Sequence, residues 1–336
     1  MLMYSVRRLL ILPPVMLAAA IFVFLAVDLT GDPLAEMRMA TPPVPDETIA
    51  AEEERLYLDR SMPERFVLWT TGIGGRGDIG LLQGEFGPST RGTAFDIGTQ
   101  INDRTWITMR LVIAALSLAI GLAILFGVIS ALRQYSVMDY TLTFIAFVAL
   151  AMPTFWIGLL IQQAGVTMND FFGQTLVYTV GATSADTRGM TAWQAFLDAG
   201  AHLVLPTIAL MLTGFAQLSR YQRASMLEVL NSDYVRLARA KGLPNRVVVR
   251  RHALRTALIP VTTLSMLLIA GAIDGVVLIE VVYQWRGLGT FFVESVRNND
   301  TYAVMGWLML SGFVVIIANL IADLLYGVLD PRIRYD

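Results

Sequence analysis

Leu111-Val-Ile-Ala-Ala-Leu-Ser-Leu-Ala-Ile-Gly-Leu-Ala-Ile-Leu-Phe-Gly-Val-Ile-Ser-Ala-Leu132 runs for 22 positions without a charged residue. About 20 apolar residues carry a helix across the hydrocarbon core of a bilayer. This stretch therefore predicts a membrane-spanning helix, and the chain around it repeats the pattern. Leu9–Val27, Thr141–Ile161, Leu203–Ser219, Thr256–Val282 and Ala303–Tyr326 are further apolar runs of spanning length. The expectation is an all-α integral membrane protein with six transmembrane helices. Pro13, Pro14, Pro153, Pro206 and Pro260 fall inside these runs or at their mouths, where neighbouring helices can re-satisfy freed carbonyls. Gly271 and Gly275, spaced four apart, are suited to close helix packing.

Composition agrees. Of 336 residues 55% are hydrophobic and 15% charged, against about 25% charged in an ordinary soluble domain. Disorder is excluded by the same shortage of charge. No cysteine is present, which removes disulfides, iron–sulfur clusters and thiol catalysis. The two histidines, His202 and His252, stand fifty residues apart, a poor basis for a metal site. Lys241 is the single lysine, between Ala240 and Gly242, so a phosphate-binding G-x-x-x-x-G-K-[ST] loop is impossible. The chain holds no ATP by that route.

Arginine sets the expected direction of the spans. Residues 220–255 carry nine cations, from Arg220 to Arg255, against Glu228 and Asp233. The loop before the fourth span carries Asp170, Asp186 and Asp198 against Arg188. Arg7 and Arg8 precede the first span, Arg133 follows the second, and Arg332 and Arg334 close the chain. Both termini and the 220–255 loop are then cytoplasmic. At the first span, Ala18-Ala19-Ala20 invites a signal-peptidase reading, but Ile21–Leu25 continues the apolar run past it, favouring an uncleaved anchor. The expected divisions are an anchor helix over 1–28, an external acidic segment over 29–106, a five-helix core over 107–330 and a tail over 331–336. Asp28 to Trp106 holds 14 acidic residues against 7 arginines, and Trp69, Phe86, Phe95 and Ile97 offer it a small core.

Within the cytoplasmic loop, Ser232 or Asp233 can start a short helix that runs through Lys241, with Gly242 at its C′ position and Pro244 beyond. At about 9 residues, or roughly 14 Å, it cannot span. One reading is a basic helix resting on anionic lipid. The other is a rigid knob for a cytoplasmic partner, with the small residues Ala238 and Ala240 offered to a close neighbour. Inside the spans, Asp274, Glu280 and Asp323 are costly acids that either pair with a neighbouring helix or face a solute pathway.

The runs Arg223–Asn231 and Asp233-Tyr-Val-Arg-Leu-Ala-Arg-Ala-Lys-Gly-Leu243 resemble the signature of ABC-importer permeases of the oligopeptide/dipeptide/nickel family. In that family an E-A-A-x-x-x-G-x9-I-x-L-P loop forms the helix that docks on the ATPase. Ala238 and Gly242 match it, Arg236 and Leu237 replace its E and first A, and His252 and Arg255 depart from its end. His202-Leu-Val-Leu-Pro206 and Leu329-Asp-Pro-Arg-Ile-Arg334 are similar to the start of the fourth span and the carboxyl terminus. Gly31-Asp32-Pro33 and Gly84-Glu-Phe-Gly-Pro-Ser89 resemble the B-type subunit, whereas 35–80 and 164–200 match poorly.

The resemblance implies a permease subunit of a bacterial inner-membrane importer, not an enzyme. It implies a second permease subunit, two cytoplasmic ABC ATPases and an external solute-binding protein as partners. This chain would hold no cofactor of its own, since ATP and magnesium are bound by the ATPases. The solute would be a peptide or a similarly sized molecule. Asp233, Tyr234, Arg236, Ala238, Arg239, Ala240, Lys241, Gly242 and Leu243 would couple to the ATPase, and Asp274 and Glu280 are the pathway candidates. An autonomous secondary transporter is the alternative class, but no inverted repeat relates spans one to three with four to six. Nickel chelates, sugars and glutathione-like solutes remain alternative cargo. No feature points to nucleic acid, and membrane lipid is an obligate contact.

The arginine distribution has a direct test. A cysteine replacing Asn245 should react with an impermeant thiol reagent only after the inner face is opened, and one replacing Gln83 should react in intact cells. Labelling of Asn245→Cys in intact cells would reverse the orientation.

Overall fold

The computed structural model describes residues 2–329. Apart from one two-stranded hairpin, the regular structure is helical. Helix α1 (Leu2–Thr30) leads to three short helices, α2 (Ala35–Arg38), α3 (Asp46–Arg55) and α4 (Met62–Thr71). Strands β1 (Ile79–Gly80) and β2 (Glu85–Phe86) pair antiparallel across a 3-10 turn, with Ile79 opposite Phe86. The long helices follow: α5 (Ile97–Leu132), α6 (Val137–Ala151), α7 (Thr154–Phe172) and α8 (Ala192–Leu230). Then come α9 (Asp233–Ala240), α10 (Asn245–Val247), a π-helical stretch Val248–Ala253, α11 (Leu254–Val282), α12 (Leu288–Arg297) and α13 (Thr301–Leu329).

Among the described residues, four helical stretches are long and apolar enough to cross a membrane: Ile97–Leu132, Ala192–Leu230, Asn245–Ile269 and Thr301–Ile321. The expected span Thr141–Ile161 is not one helix. It is split between α6 and α7, which meet at 113°, and counting the bent pair as one crossing makes five. Proline is the cause. It disfavours helical backbone in the residue before it, and Met152 is extended at ψ 138°. Pro153 then starts α7 as its N-cap, its carbonyl accepting from Trp156 N at 3.0 Å and Ile157 N at 3.2 Å. Among the described residues α1 contributes the apolar helical stretch Pro13–Leu29. The side chains of Arg7, Arg8, Asp274 and Asp323 lie outside the described residues, as do Arg332 and Arg334.

The described residues form two compact units that do not follow sequence order: one is built from 109–285 and 317–329, the other from 2–108 and 286–316. Residues 29–106, expected to be an external segment, thus share their unit with α1, α12 and the start of α13. In that unit Trp69 is fully buried, donating its indole N–H to the Phe86 carbonyl at 3.0 Å. Phe24 of α1 meets Phe66 of α4 edge to face at 5.4 Å. Ser61 and Glu64 form a capping box at the start of α4, and Gly72 ends it at φ 68°. The Ser89 hydroxyl bonds the buried Asp300 carboxylate, which also caps α13 by accepting from Ala303 N at 3.2 Å. Burial pushes the Asp300 carboxyl above the usual aspartate range against the pull of these donors.

In the other unit α8 is the central post, with α6, α7 and α11 packed on it. Glycines allow the closest approaches. A Cβ at Gly127 of α5 would come within 2.6 Å of the Gln222 side chain of α8, and one at Gly165 within 2.7 Å of Leu205. Gly271 and Gly275 do not act this way within the chain. Among the described residues nothing lies within 4 Å of a Cβ at Gly271, and only Leu210, at 3.5 Å, approaches one at Gly275.

Asp139, in the first turn of α6, is nearly inaccessible and is clamped by Arg223 of α8 through two parallel bonds, Nε–Oδ1 at 2.7 Å and Nη2–Oδ2 at 2.8 Å. Tyr135 N at 3.0 Å and the Ser130 hydroxyl complete its shell. One carboxylate therefore joins the end of α5, the α5–α6 turn and the lower part of α8. Removing one partner of such a pair leaves a buried charge, at a cost of about 3 kcal/mol or more. Arg223→Met should markedly lower the thermal unfolding midpoint of the purified protein. Adding Asp139→Asn should restore much of the loss, and a double variant no better than the single would remove the clamp from the account.

Candidate coupling site

The 220–255 region is the end of α8 followed by a compact helical hairpin, within the unit built from 109–285 and 317–329. Helix α8 ends at Leu230. Ser232 is extended (φ −70°, ψ 152°) and turns the chain into α9, its hydroxyl spent on the Val229 carbonyl at 2.6 Å. Asp233 lies in the first turn and Arg239 in the last, each at the end where the helix dipole favours it. Arg236 reaches Asp233 only at 4.0 Å and both are exposed, so that pair adds little.

Two faces of α9 have different partners. Val235 and Ala238 are buried in a cluster with Ala131 of α5, Met226 of α8, Val248 and Ala253 of the π-helical stretch and Ala257 of α11. Ala238 is thus turned inward, and the neighbour to which its small side chain is fitted is this chain itself. The other face is open. Tyr234 is 44% exposed and Leu237 57%, and beyond the helix Leu243 is 38% exposed. Asp233, Arg236, Arg239, Ala240 and Lys241 are exposed among them.

The stop is sharp. Lys241 N bonds Leu237 O at 3.0 Å, Gly242 N bonds Arg239 O at 2.9 Å, and Gly242 takes φ 79° with open space where a Cβ would stand. Pro244 then starts the return helix, accepting from Val247 N at 2.9 Å. The sequence reading gave the bounds and the stop. It missed which face is buried, for which Val235 and Ala238, three apart on one helical stripe, were the available signal. It also missed the Asp139–Arg223 clamp beneath the hairpin.

The pathway candidates fall elsewhere. A cavity of about 330 Å³ opens between α5, α8 and α11, lined by Ala119, Thr213, Gly214, Gln217, Gly271 and Gly275 among others. Its described lining carries no ionisable side chain. Glu280 is fully buried and is not part of that lining. The Asp274 side chain is outside the described residues. Gly271 and Gly275, expected at a helix–helix contact, line this cavity instead. No group of three or more His, Asp or Glu residues among the described residues could hold a metal ion.

Residues 123–335 match the family described as "Binding-protein-dependent transport system inner membrane component". The chain is also similar along its length to curated proteins. The oligopeptide transport system permease protein OppB of Mycobacterium tuberculosis H37Rv is 33% identical over 331 residues, 98% of each chain. The oligopeptide transport system permease protein AppB of Bacillus subtilis 168 is 35% identical over 336 residues, 99% of each. The dipeptide transport system permease protein DppB of Escherichia coli K12 is 30% identical over 347 residues, all of this chain and 99% of that one.

The two faces of α9 respond differently to substitution. Overpacking a filled site costs about 1–3 kcal/mol, so Ala238→Trp should lift α9 from its seat, and trypsin should then cut at Arg236, Arg239 and Lys241 much faster than in the unsubstituted protein. Leu237→Ala, on the open face, should leave cleavage unchanged. Equal cleavage of all three proteins would place Ala238 outside the seat.

Proposed function

The chain belongs to the family of inner-membrane components of binding-protein-dependent transport systems, and from that premise we propose that it is one of two permease subunits of an ATP-driven peptide importer in a bacterial inner membrane. The peptide cargo is inferred from relatives named as oligopeptide and dipeptide permeases that align over nearly its full length. The partners are a second permease, two cytoplasmic ABC ATPases and an external solute-binding protein. The ATPases supply the nucleotide and metal chemistry. Helix α1 and the bent α6–α7 pair each count as one crossing, which makes six, with both termini and the 220–255 hairpin cytoplasmic.

The observation that carries the coupling role is the open face of α9. Exposed Tyr234, Leu237 and Leu243 stand among cations on a helix whose opposite side is locked by Val235 and Ala238. Such a knob suits a groove on a partner. A helix lying on anionic lipid needs the charges but not the fixed seat. Coupling is then differential binding: when ATP draws the two ATPases together, one arrangement of the docked knobs is favoured, and the helices fused to them follow. Solute passes along the cavity between α5, α8 and α11.

The full complex decides this. Gly242→Val forces a β-branched residue into left-handed backbone, costing on the order of 1–2 kcal/mol, up to tenfold or more in a docking equilibrium. It should reach the membrane, yet retain less ATPase on purification and lose the stimulation of hydrolysis by peptide-loaded binding protein. Leu237→Asp should do the same through the open face. A triple variant with Arg236, Arg239 and Lys241 changed to Gln separates the lipid-surface role. Full coupling in Gly242→Val and Leu237→Asp, with loss only in the charge variant, would refute docking. Cargo is tested independently: labelled peptides should enter proteoliposomes containing the assembled complex, and uptake of a nickel chelate or sugar instead would redirect the assignment.

A further inference from the structure

The cavity between α5, α8 and α11 is mostly apolar, and three hydrogen-bonding side chains interrupt its described wall: Thr213 and Gln217 of α8, and Thr154 at the start of α7. A hydroxyl inside a helix commonly bonds back to a carbonyl one turn earlier. Thr262 does so to Leu258 O at 3.0 Å, Ser265 to Val261 O at 2.7 Å and Ser219 to Ala216 O at 3.3 Å. Thr213 does not. Its Oγ1 is buried and has no hydrogen-bond partner among the described residues. A group left so costs free energy that a partner returns, and one step between staggered χ1 wells re-aims it. The Gln217 amide, one turn further along α8, is exposed and bonds to nothing among the described residues. Gln162 and Asn169, by contrast, both spend their amides on backbone carbonyls.

Spacing and chemistry fit a main chain. Thr213 and Gln217 share one face of α8, and four helical residues rise about 6 Å. In an extended peptide, N–H and C=O groups facing the same way recur every two residues, about 6.8 Å. A glutamine amide offers both a donor and an acceptor, as a peptide group requires. From α11 the lining receives Gly271 and Gly275, and a Cβ at Gly271 would stand in open space among the described residues. A backbone therefore has room to lie close to that helix.

We propose that Gln217 and Thr213 are specificity-determining residues of the pathway: they hydrogen-bond the main chain of the passing peptide at groups two residues apart, with Thr154 beside them, and so read peptide groups rather than side chains. This inference rests on the reading of the cavity as the solute path in a peptide importer, and the two fail differently.

The test uses the assembled complex in proteoliposomes, with binding protein verified as loaded, and tripeptides carrying lysine, glutamate or leucine at the centre. Gln217→Leu should lower uptake of all three by one common factor, roughly five- to tenfold. Thr213→Val should act in the same way to a smaller extent, and Thr213→Ser should keep the unsubstituted rate. A charge at position 217 should make the site read side chains. Gln217→Glu should raise the ratio of lysine-peptide to glutamate-peptide uptake on the order of tenfold, and Gln217→Lys should reverse it. The chain has no cysteine of its own. Gln217→Cys, modified after assembly with a cationic or an anionic thiosulfonate, therefore gives the same contrast without requiring a charged variant to fold. Entry of the peptides with a lysine-to-glutamate ratio unmoved by either charge overturns the proposal. So does a loss in Gln217→Leu that depends on the central side chain. Failure of the unsubstituted complex to take up any of the three removes the peptide-importer reading itself, and this inference with it.

Discussion

Every backbone N–H and C=O that enters a bilayer must find its partner within the protein, and the architecture follows from how the chain meets that demand. Long helices meet it internally. Where helices stop, side-chain amides take over. Gln162 donates to the carbonyls of Thr179 and Val282, at 2.9 and 3.0 Å, and Asn169 bridges three backbone groups of residues 176 and 177. These two amides fasten the α7–α8 connection to α7 and to the C-terminal end of α11. The break at Met152–Pro153 obeys the same rule, because the Pro153 carbonyl is taken at once by the first turn of α7.

Charge is handled as strictly as the backbone. Nearly all the cations are arginines, whose planar head can share a carboxylate in two places and lie on an aromatic face. Arg223 does the first at Asp139. Arg110 does the second, its guanidinium 5.1 Å from the centre of the Trp285 ring while bonding Ala182 O. In the other unit Arg91 and Arg104 share Glu294 and lie over Phe95 and Phe291. A lysine could supply the charge at these places but not the two-sided contact.

How far the sequence could be read depends on the range of the interactions involved. The apolar runs, the short helix α9 and the Gly242-Leu-Pro244 stop are set by residues within a few positions of each other, and were legible. Pro153 was visible inside the Thr141–Ile161 run, yet hydropathy alone reads the same for a tolerated kink and a 113° break. Asp139 and Arg223 are 84 positions apart, and composition gives no reason to pair them. The inward face of Ala238 and the cavity-lining place of Gly271 and Gly275 depend on which helices are neighbours. Small residues look alike whether they admit another helix, seat their own or leave a space.

Helix α8 has 39 residues, about 58 Å at 1.5 Å per residue, nearly twice the roughly 30 Å of a hydrocarbon core. It cannot end at the membrane surface, and the α9 hairpin is carried on its far end. In the coupling role proposed above, α8 would act as a lever turning about the region where α6, α7 and α11 pack on it, with Arg223 tied to Asp139 along its arm. A sideways displacement at the hairpin would then become an opposite swing at the other end, with the ratio of stroke to force fixed by where along the arm the packing falls.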